Sequence, residues 1–305
     1  MTASVIIARD VTDAMLLSCS VPEPDAGEVA WVSGTTYALG ARVFRQTTHR
    51  IYERAAAGGG TTPPEDDPVN WFEVGPTNRW AALDDKVGTR TLSASAPLSF
   101  TFAPGAIGGI GLFDLAGSQV TVQMLDRPGG VVVYSRTVAL DVTEITSFYE
   151  WLFGDAGPQT RFDVVLTDLP AHWPDCVLSI AVGSQTSAGV GAIKFGPLFE
   201  IGETRFGASA SIIDFSKKEK DAFGNWEVVE GDFARKATIS VLVNAERFDI
   251  VYRSLAAVRA RLAVWVASSD VRYAPLTVLG FFKDFSITAD YATQSLCALE
   301  IEGVN

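Results

Sequence analysis

The chain has 305 residues, of which 48% are hydrophobic, and this length predicts two or three domains with ordinary buried cores. Its formal net charge of −12 argues against a nucleic-acid binder, because neutralising phosphates requires an excess of Lys and Arg. The same charge disfavours an anionic membrane surface as a partner.

The first 28 residues hold two short apolar runs, at residues 5–8 and 14–21, separated by a polar turn signal. This pattern predicts a hairpin or two consecutive strands, followed by a linker over residues 22–28. Arg9 and Asp10 interrupt the apolar stretch, so it lacks the layout of a signal peptide. We also expect no transmembrane helix, since no run of about 18 apolar residues occurs.

Residues 29–76 are predicted to form a compact module. Short strand-like runs alternate with the turn sequence GTTYALG and with a loop rich in Gly and Pro, AGGGTTPPEDDP. A unit of this size buries little core, so a few aromatic side chains must supply most of it.

Residues 77–200 contain many short β-like runs separated by Gly/Pro turns, a pattern that indicates an antiparallel β-sandwich. Residues 143–153 could form a helical turn or a short helix. The three cysteines, Cys19, Cys176 and Cys297, are too few and too scattered for a disulfide framework or a metal site. We therefore interpret them as small buried hydrophobic residues.

Residues 201–305 are predicted to form an α+β domain in which one long helix packs on a sheet. A long hairpin comes first, and its charged run over residues 217–221 is expected to be a solvated turn. The helix is indicated by apolar residues at helical spacing, and strands follow it to the end of the chain. These apolar positions are Phe248, Val251, Leu255, Val258 and Leu262.

The sequence offers little catalytic chemistry. Its two histidines, His49 and His172, lie in different predicted domains, which makes a Ser-His-Asp triad improbable, and His172 is expected in a surface turn. The adjacent carboxylates at 65–67 and 84–85 favour solvation over paired catalysis, because neighbouring residues of an extended chain point apart. Asp84 or Asp85 could instead bind a structural calcium. The prediction is a protein that is not an enzyme and that has no cofactor and no metal site.

The module at 29–76 contains, in order, Trp31, Tyr37, Gly40, Val43, Tyr52, Pro63 or Pro64, and Trp71. With these residues in this order, it resembles the chitin-binding-like carbohydrate-binding modules of families 5 and 12. The resemblance implies a small three-stranded unit in which Trp31, Tyr37, Tyr52 and Trp71 bind carbohydrate. Two features depart from the family: Ala41 replaces its aspartate, and an alanine run at 55–57 replaces its exposed aromatic pair. The alternative is that the four aromatic residues form the core of the module.

Six further stretches carry a wider resemblance. They are VTDAMLLSCSVPE at 11–23, GPTNRWAALDD at 75–85, GASASIIDFSKKEKDAFGNW at 207–226, SLAAVRARLAVWV at 254–266, GFFKDFSITADY at 280–291 and LCALEIEGV at 296–304. With these stretches, nearly the whole chain resembles tail proteins of long-tailed bacteriophages. This resemblance implies a structural virion protein of the tail tip or baseplate, synthesised in the host cytoplasm. Its implied partners are other tail proteins, in several symmetric copies, and host cell-surface carbohydrate during adsorption, without nucleic acid and without membrane insertion.

The middle region is also similar to galactose-binding-like jelly rolls, in the order AALDD, LSFTF and then paired strands. If so, loops at one end of the sandwich form a second ligand surface, with Phe148, Trp151 and Trp173 as contributors, although a buried role suits each better. Two other functions stay open at this point. One is a glycan-degrading enzyme with two facing carboxylates in the middle domain, and the other is a stand-alone lectin.

Overall fold

The structure is a computed structural model that describes residues 1–94, 97–142, 160–184, 187–220 and 224–304, together with positions 148 and 152. It is mainly β, with 49% strand and 9% helical residues, as the sequence predicts. Its strands pair antiparallel and form a small module, a sandwich and a C-terminal barrel. The segment 143–153, predicted as either a helical turn or a short helix, lies almost entirely outside the described residues.

The C-terminal barrel is a sheet that closes on itself. Its strand order is β17-β1-β22-β23-β24-β21, and a further pairing between β17 and β21 joins the two ends. β18 extends the sheet beyond β21. The bounds of these strands are β1 (Thr2–Ile7), β17 (Leu198–Thr204), β18 (Ser209–Asp214), β21 (Phe233–Asn244), β22 (Ala263–Val266), β23 (Thr277–Thr288) and β24 (Gln294–Gly303). Alternate residues of β21 are buried in the barrel core, because successive side chains of a strand point to opposite faces.

The long helix predicted at 248–262 is shorter in the structure. Helix α1 (Phe248–Ala257) ends near Ala260, whose positive φ of 56° is incompatible with continuing an α-helix. The next apolar residues form β22, which is buried on both faces between β1 and β23. Val251 and Leu255 of α1 pack into the barrel core. The continuous apolar run at 262–266 therefore reflects a fully buried strand, which periodicity alone does not distinguish from a helix.

The long hairpin predicted after residue 201 is present. β18 pairs with β21, and beyond them β19 (Lys217–Lys220) pairs with β20 (Trp226–Val229). The prediction that the charged run is a turn is wrong for its first four residues, which form β19. All four are exposed, so their charges remain solvated although the backbone is extended.

The sandwich consists of a five-stranded sheet, β12-β11-β14-β9-β2, that faces the sheet β13-β10-β16 and the strand pair β8–β15 across one apolar core. Phe100, Phe102 and Phe195 are among its largest buried side chains. The strand bounds are β2 (Leu16–Cys19), β8 (Thr91–Ser93), β9 (Leu98–Phe102), β10 (Gly109–Phe113), β11 (Gln119–Leu125), β12 (Val132–Ala139), β13 (Val164–Leu166), β14 (Val177–Gly183), β15 (Ala188–Val190) and β16 (Ala192–Gly196).

The N-terminal segment connects the barrel to the sandwich. β1 belongs to the barrel and β2 to the sandwich, so the two apolar runs are consecutive strands and not a hairpin. Ile6 of β1 packs with Phe113 and Ala192 of the sandwich in a separate apolar cluster between the two bodies. The backbones approach so closely here that a Cβ at Gly196 would lie 1.9 Å from the carbonyl oxygen of Ile7.

The small module is built on the three-stranded sheet β4-β5-β7 with the short pair β3–β6 beside it. Its strands are β3 (Thr36–Tyr37), β4 (Arg42–Arg45), β5 (Arg50–Arg54), β6 (Gly58–Gly59) and β7 (Trp71–Pro76). A 3-10 helix at Pro64–Asp66 lies in the long loop that precedes β7. The strand-like runs at 41–46 and 50–55 form β4 and β5, whereas the run at 29–32 contributes only an isolated bridge from Ala30 to Phe44, and β7 takes the third place in the sheet.

A polar cluster centred on Glu23 joins the module to the sandwich. The Glu23 carboxylate, whose side chain is only 5% exposed, accepts hydrogen bonds from Thr77 Oγ1 at 2.8 Å and Trp80 Nε1 at 3.2 Å. It also lies 3.0 Å from Nδ1 of His49, whose Nε2 is 2.7 Å from Asp13 Oδ1. The His49 ring stacks on Trp80 with a centroid distance of 4.1 Å. Glu23 therefore satisfies donors from the module and from the sandwich at once.

Glu23→Ala is expected to destabilise the protein by about 2 kcal/mol or more, because it leaves three buried or half-buried donors without their acceptor. Asp13→Ala is the matched control, because Asp13 is the other carboxylate that contacts His49 and its side chain is 73% exposed. Its loss should lower the free energy of unfolding by less than about 1 kcal/mol. Urea unfolding monitored by tryptophan fluorescence measures both. Equal losses in the two variants would contradict the central role of Glu23.

Candidate functional site

The four predicted carbohydrate-binding residues lie together in the small module. Tyr52 and Trp71 are buried with Val43 in its core, and Trp31 and Tyr37 pack against them half-buried. The Tyr37 ring meets Trp71 edge-on at 5.3 Å. The Tyr37 hydroxyl accepts a hydrogen bond from the backbone of a neighbouring loop residue at 2.7 Å. This packing fits the alternative interpretation, in which the four aromatic residues form the core of the module.

Two arginines cover the indole rings. The guanidinium of Arg54 lies 4.8 Å from the centre of the Trp71 ring, and that of Arg45 lies 4.8 Å from the centre of the Trp31 ring. Arg54 is itself buried and donates to Ala56 O at 2.8 Å. Each guanidinium therefore makes a cation–π contact with a ring on which a sugar would have to stack. Carbohydrate binding by the four aromatic residues stays a prediction.

Sequence reasoning missed these arginines, although a signal for them exists. Arg45 follows Val43 on β4 by two residues, and Arg54 follows Tyr52 on β5 by two residues. Residues two apart on a strand share a face, so both arginines point to the side of the core. When the two-residue period of a strand is applied to charged residues as well as apolar ones, it predicts that Arg45 and Arg54 lie on the core side of the sheet.

Glu65 holds the Arg45 guanidinium in place. Two of its hydrogen bonds come from Arg45 Nε, at 3.0 and 3.1 Å, and a third comes from Nη2 at 2.8 Å. Burial of the Glu65 carboxyl tends to raise its pKa, but hydrogen bonds from Arg45 outweigh this and lower the pKa below its ordinary value of 4.5. The loop that carries Glu65 is thereby attached to β4 and to the ring of Trp31.

The other carboxylates singled out in the sequence are engaged structurally. Asp85 pairs with the buried ammonium of Lys194 at 2.7 Å, and the same ammonium donates to the backbone oxygen of Asp84 at 2.7 Å. The Asp84 carboxylate accepts from Thr89 and from the backbone of Lys86. The Lys194 ammonium thus supplies a cation at the turn where the sequence allows a calcium ion. Among the described residues, no cluster of three or more His, Cys, Asp or Glu could hold a metal ion.

The remaining sequence candidates are scattered. His172 is exposed in a turn, as predicted, and Trp173 beside it is half-buried against the sandwich core. Phe148 is exposed, and Trp151 lies outside the described residues. Cys176 and Cys297 are buried and Cys19 is half-buried, and burial raises the pKa of each thiol. No helix in the described ranges is long and apolar enough to cross a membrane.

The hairpin formed by strands β18, β19, β20 and β21 carries many exposed apolar side chains, and we call it the apolar hairpin. Trp226 on β20 is 64% exposed, and the ammonium of Lys220 lies 4.7 Å from the centre of its ring. Other large apolar side chains of the hairpin that face solvent are Ile212, Phe215, Val228, Val229 and Phe233. Exposed apolar side chains in this number on one hairpin make it a candidate protein–protein interaction site.

A cleft separates the base of the apolar hairpin from the sandwich, and we call it the interdomain cleft. Its two parts have volumes of about 390 and 560 Å³ and share Phe162, Asp163, Phe233 and Arg235. Asp163 pairs with Arg235 and also accepts from the backbone N–H of Asp114 at 3.2 Å. Clefts of this size between domains, with apolar walls and a few polar groups, are common ligand sites.

Comparisons with protein-family models, with curated proteins and with solved structures give no match for the chain.

Trp71→Ala is expected to unfold the small module, because Trp71 is buried and large-to-small changes of this kind cost about 3–5 kcal/mol. Trp31→Ala should cost less, since Trp31 is half-buried at the edge of the same core. Near-ultraviolet circular dichroism and limited proteolysis between residues 29 and 76 distinguish the two outcomes. A folded Trp71→Ala variant that loses binding on a glycan array would instead favour the carbohydrate-binding interpretation.

Acidification should remove the stabilisation that Glu65 provides. A carboxyl whose pKa is lowered on folding stabilises the protein above its unfolded value of 4.5 and loses this effect as pH falls through the folded value. The difference in unfolding free energy between the wild type and Glu65→Gln should therefore be largest near neutral pH and shrink below about pH 4.5. Urea titrations at several pH values test this, and a difference that grows on acidification would contradict it.

Proposed function

We propose that the chain is a non-enzymatic structural protein of a bacteriophage tail tip or baseplate, which docks to other tail proteins and contacts host surface glycans during adsorption. The resemblance of six stretches of the sequence to tail proteins supports this proposal. In it, the small module and the sandwich are β-domains of the carbohydrate-binding and galactose-binding-like jelly-roll types, displayed on the barrel. The protein would act in several symmetric copies within the virion.

The observation that carries the proposal is the apolar hairpin. Its exposed aromatic and aliphatic side chains would be costly to leave in water, and burying them against another tail protein would contribute roughly 25 cal/mol per Å² of apolar surface. Its position also suits docking, because β18 and β21 join it directly to the barrel. A partner held by the hairpin would thus be fixed relative to the barrel.

The apolar cluster between barrel and sandwich supports a role in holding other proteins at defined positions. Ile6, Phe113 and Val264 belong to this cluster, which adds to the direct strand connection through β1. Packing between the two bodies restricts their relative movement, so partners bound to the barrel and to the sandwich would be held near one another. Weak glycan contacts by the outer domains would gain strength from several copies in one particle.

A triple variant, Phe215→Ser with Trp226→Ser and Val228→Ser, tests the proposal. All three side chains are exposed, so the purified variant should unfold within about 1 kcal/mol of the wild type. In phage lacking the gene and complemented with the variant, we expect at least about tenfold less of the protein in purified particles, because the apolar contact area is lost. Immunoblots of the particles give the measurement.

Leu39→Ser with Val69→Ser is the matched control, since it removes exposed apolar side chains from the small module and should leave incorporation unchanged. Normal incorporation of the triple variant would contradict docking through the hairpin. Release of reducing sugar from host polysaccharide by the purified protein would overturn the non-enzymatic function.

A further inference from the structure

In the described part of the chain, the outer edge of strand β18 is covered by no other strand. There β18 stands at the end of the barrel sheet and pairs with β21 alone, and five of its six residues are exposed. Within the described residues, therefore, the backbone groups on its outer edge have no strand partner. Such an edge can accept an additional strand from another protein, as in β-strand addition to a sheet.

The interdomain cleft opens on one face of this edge strand. Ile212 of β18 lies opposite Arg235 of β21, so the two side chains share a face, and both line the larger part of the cleft. Phe162 of the sandwich, 54% exposed, lines it from the other side together with Phe233. In a strand added to β18, the residue opposite Ile212 would point to the same face and so enter the cleft.

The larger part of the cleft carries an unbalanced positive charge. Its charged residues are Arg161, Asp163 and Arg235, and Asp163 already pairs with Arg235. The Arg161 side chain makes no hydrogen bond or ion pair to any residue that the structure describes, and only its backbone N–H donates, to Leu140 O at 2.7 Å. In a chain of net charge −12, a guanidinium without a carboxylate partner among the described residues is a specific place for one.

We propose that an extended segment of a partner protein joins the open edge of β18, places an apolar side chain between Phe162 and Ile212, and pairs a carboxylate with Arg161. Because side chains of a strand alternate between faces, the apolar and acidic residues of the segment are two positions apart. The inference rests on the proposed docking function and specifies its partner as an extended strand with an acidic and an apolar residue on one face.

Three synthetic peptides test the inference on the full chain. The first, acetyl-Val-Phe-Thr-Glu-Val-Thr-amide, places Phe and Glu on one face of a strand, the second has Lys for Glu, and the third has Ser for Phe. Fluorescence anisotropy of labelled peptides measures affinity, and amide hydrogen exchange of residues 209–214 reports on pairing with β18. We expect the first peptide to bind saturably, to slow exchange at this edge, and to bind at least about tenfold more tightly than either other peptide.

Two variants assign the contacts. Arg161→Glu should reverse the preference, so that the Lys peptide binds more tightly than the Glu peptide, since the charges are exchanged. Phe162→Ala should weaken binding of the Phe peptide about tenfold. Phe206→Ala is its matched control, because Phe206 is exposed outside the cleft. This variant should bind the Phe peptide as tightly as the wild type does.

Any one of four results would overturn the inference. They are equal affinity for the Glu and Lys peptides, no reversal of that preference in Arg161→Glu, unchanged amide hydrogen exchange over residues 209–214, and no saturable peptide binding up to about 1 mM. The peptide assay uses the isolated protein, whereas the particle assay measures incorporation. If the first peptide binds but the triple hairpin variant is incorporated normally into particles, the peptide site stands and the proposed docking function is contradicted. If the peptide does not bind but the triple variant is poorly incorporated, only the peptide site is contradicted.

Discussion

The burial of Ile6 between the barrel and the sandwich is the contact on which the rest of the architecture depends. Ile6 lies on β1, whose inward residues, including Val5, are part of the barrel core, while Ile6 itself faces Phe113 and Ala192 of the sandwich. One strand therefore contributes to two apolar cores through its two faces, as strand geometry allows. Because the same chain then enters the sandwich as β2, the two bodies are joined by packing as well as by a covalent connection. The interdomain cleft and the apolar hairpin owe their relative positions to this contact.

The small module is attached differently. Its junction depends on polar groups, with the nearly buried Glu23 carboxylate accepting from donors on either side and the His49 ring lying on Trp80. Polar contacts of this kind are directional, so they fix an orientation with little buried area, and they depend on each partner being present. Within the module the same principle recurs, because Arg45 and Arg54 each join an indole ring to a loop. Charged residues thus complete a core that is too small to be made of apolar side chains alone.

Several features followed from the sequence because they depend on local pattern. Alternating strands with Gly/Pro turns predict a mainly β chain, and the long hairpin is predicted from the β-like runs on either side of a charged segment. The helix was located correctly at its start, since Val251 and Leu255 repeat at helical spacing, but its end was misplaced. The residues from 262 onwards are apolar without interruption, and only their burial between β1 and β23 makes them a strand. The four aromatic residues of the module were predicted to act together, and they do lie together, but whether they face a ligand or one another depends on side chains distant in sequence.

What the sequence by itself determined is that the chain is mainly β, where the helix begins, and which aromatic residues form the small module. These follow from side-chain periodicity and turn chemistry, which act over a few residues. Only the tertiary structure decided that β17 meets β21 to close the barrel, that β1 serves two cores, and that arginines cover Trp31 and Trp71. It alone placed Arg161 beside the open edge of β18, more than 45 residues away in the chain. The physical reason is that such pairings are selected by the burial of apolar area and the satisfaction of charges between distant segments, and no local pattern of residues encodes that choice.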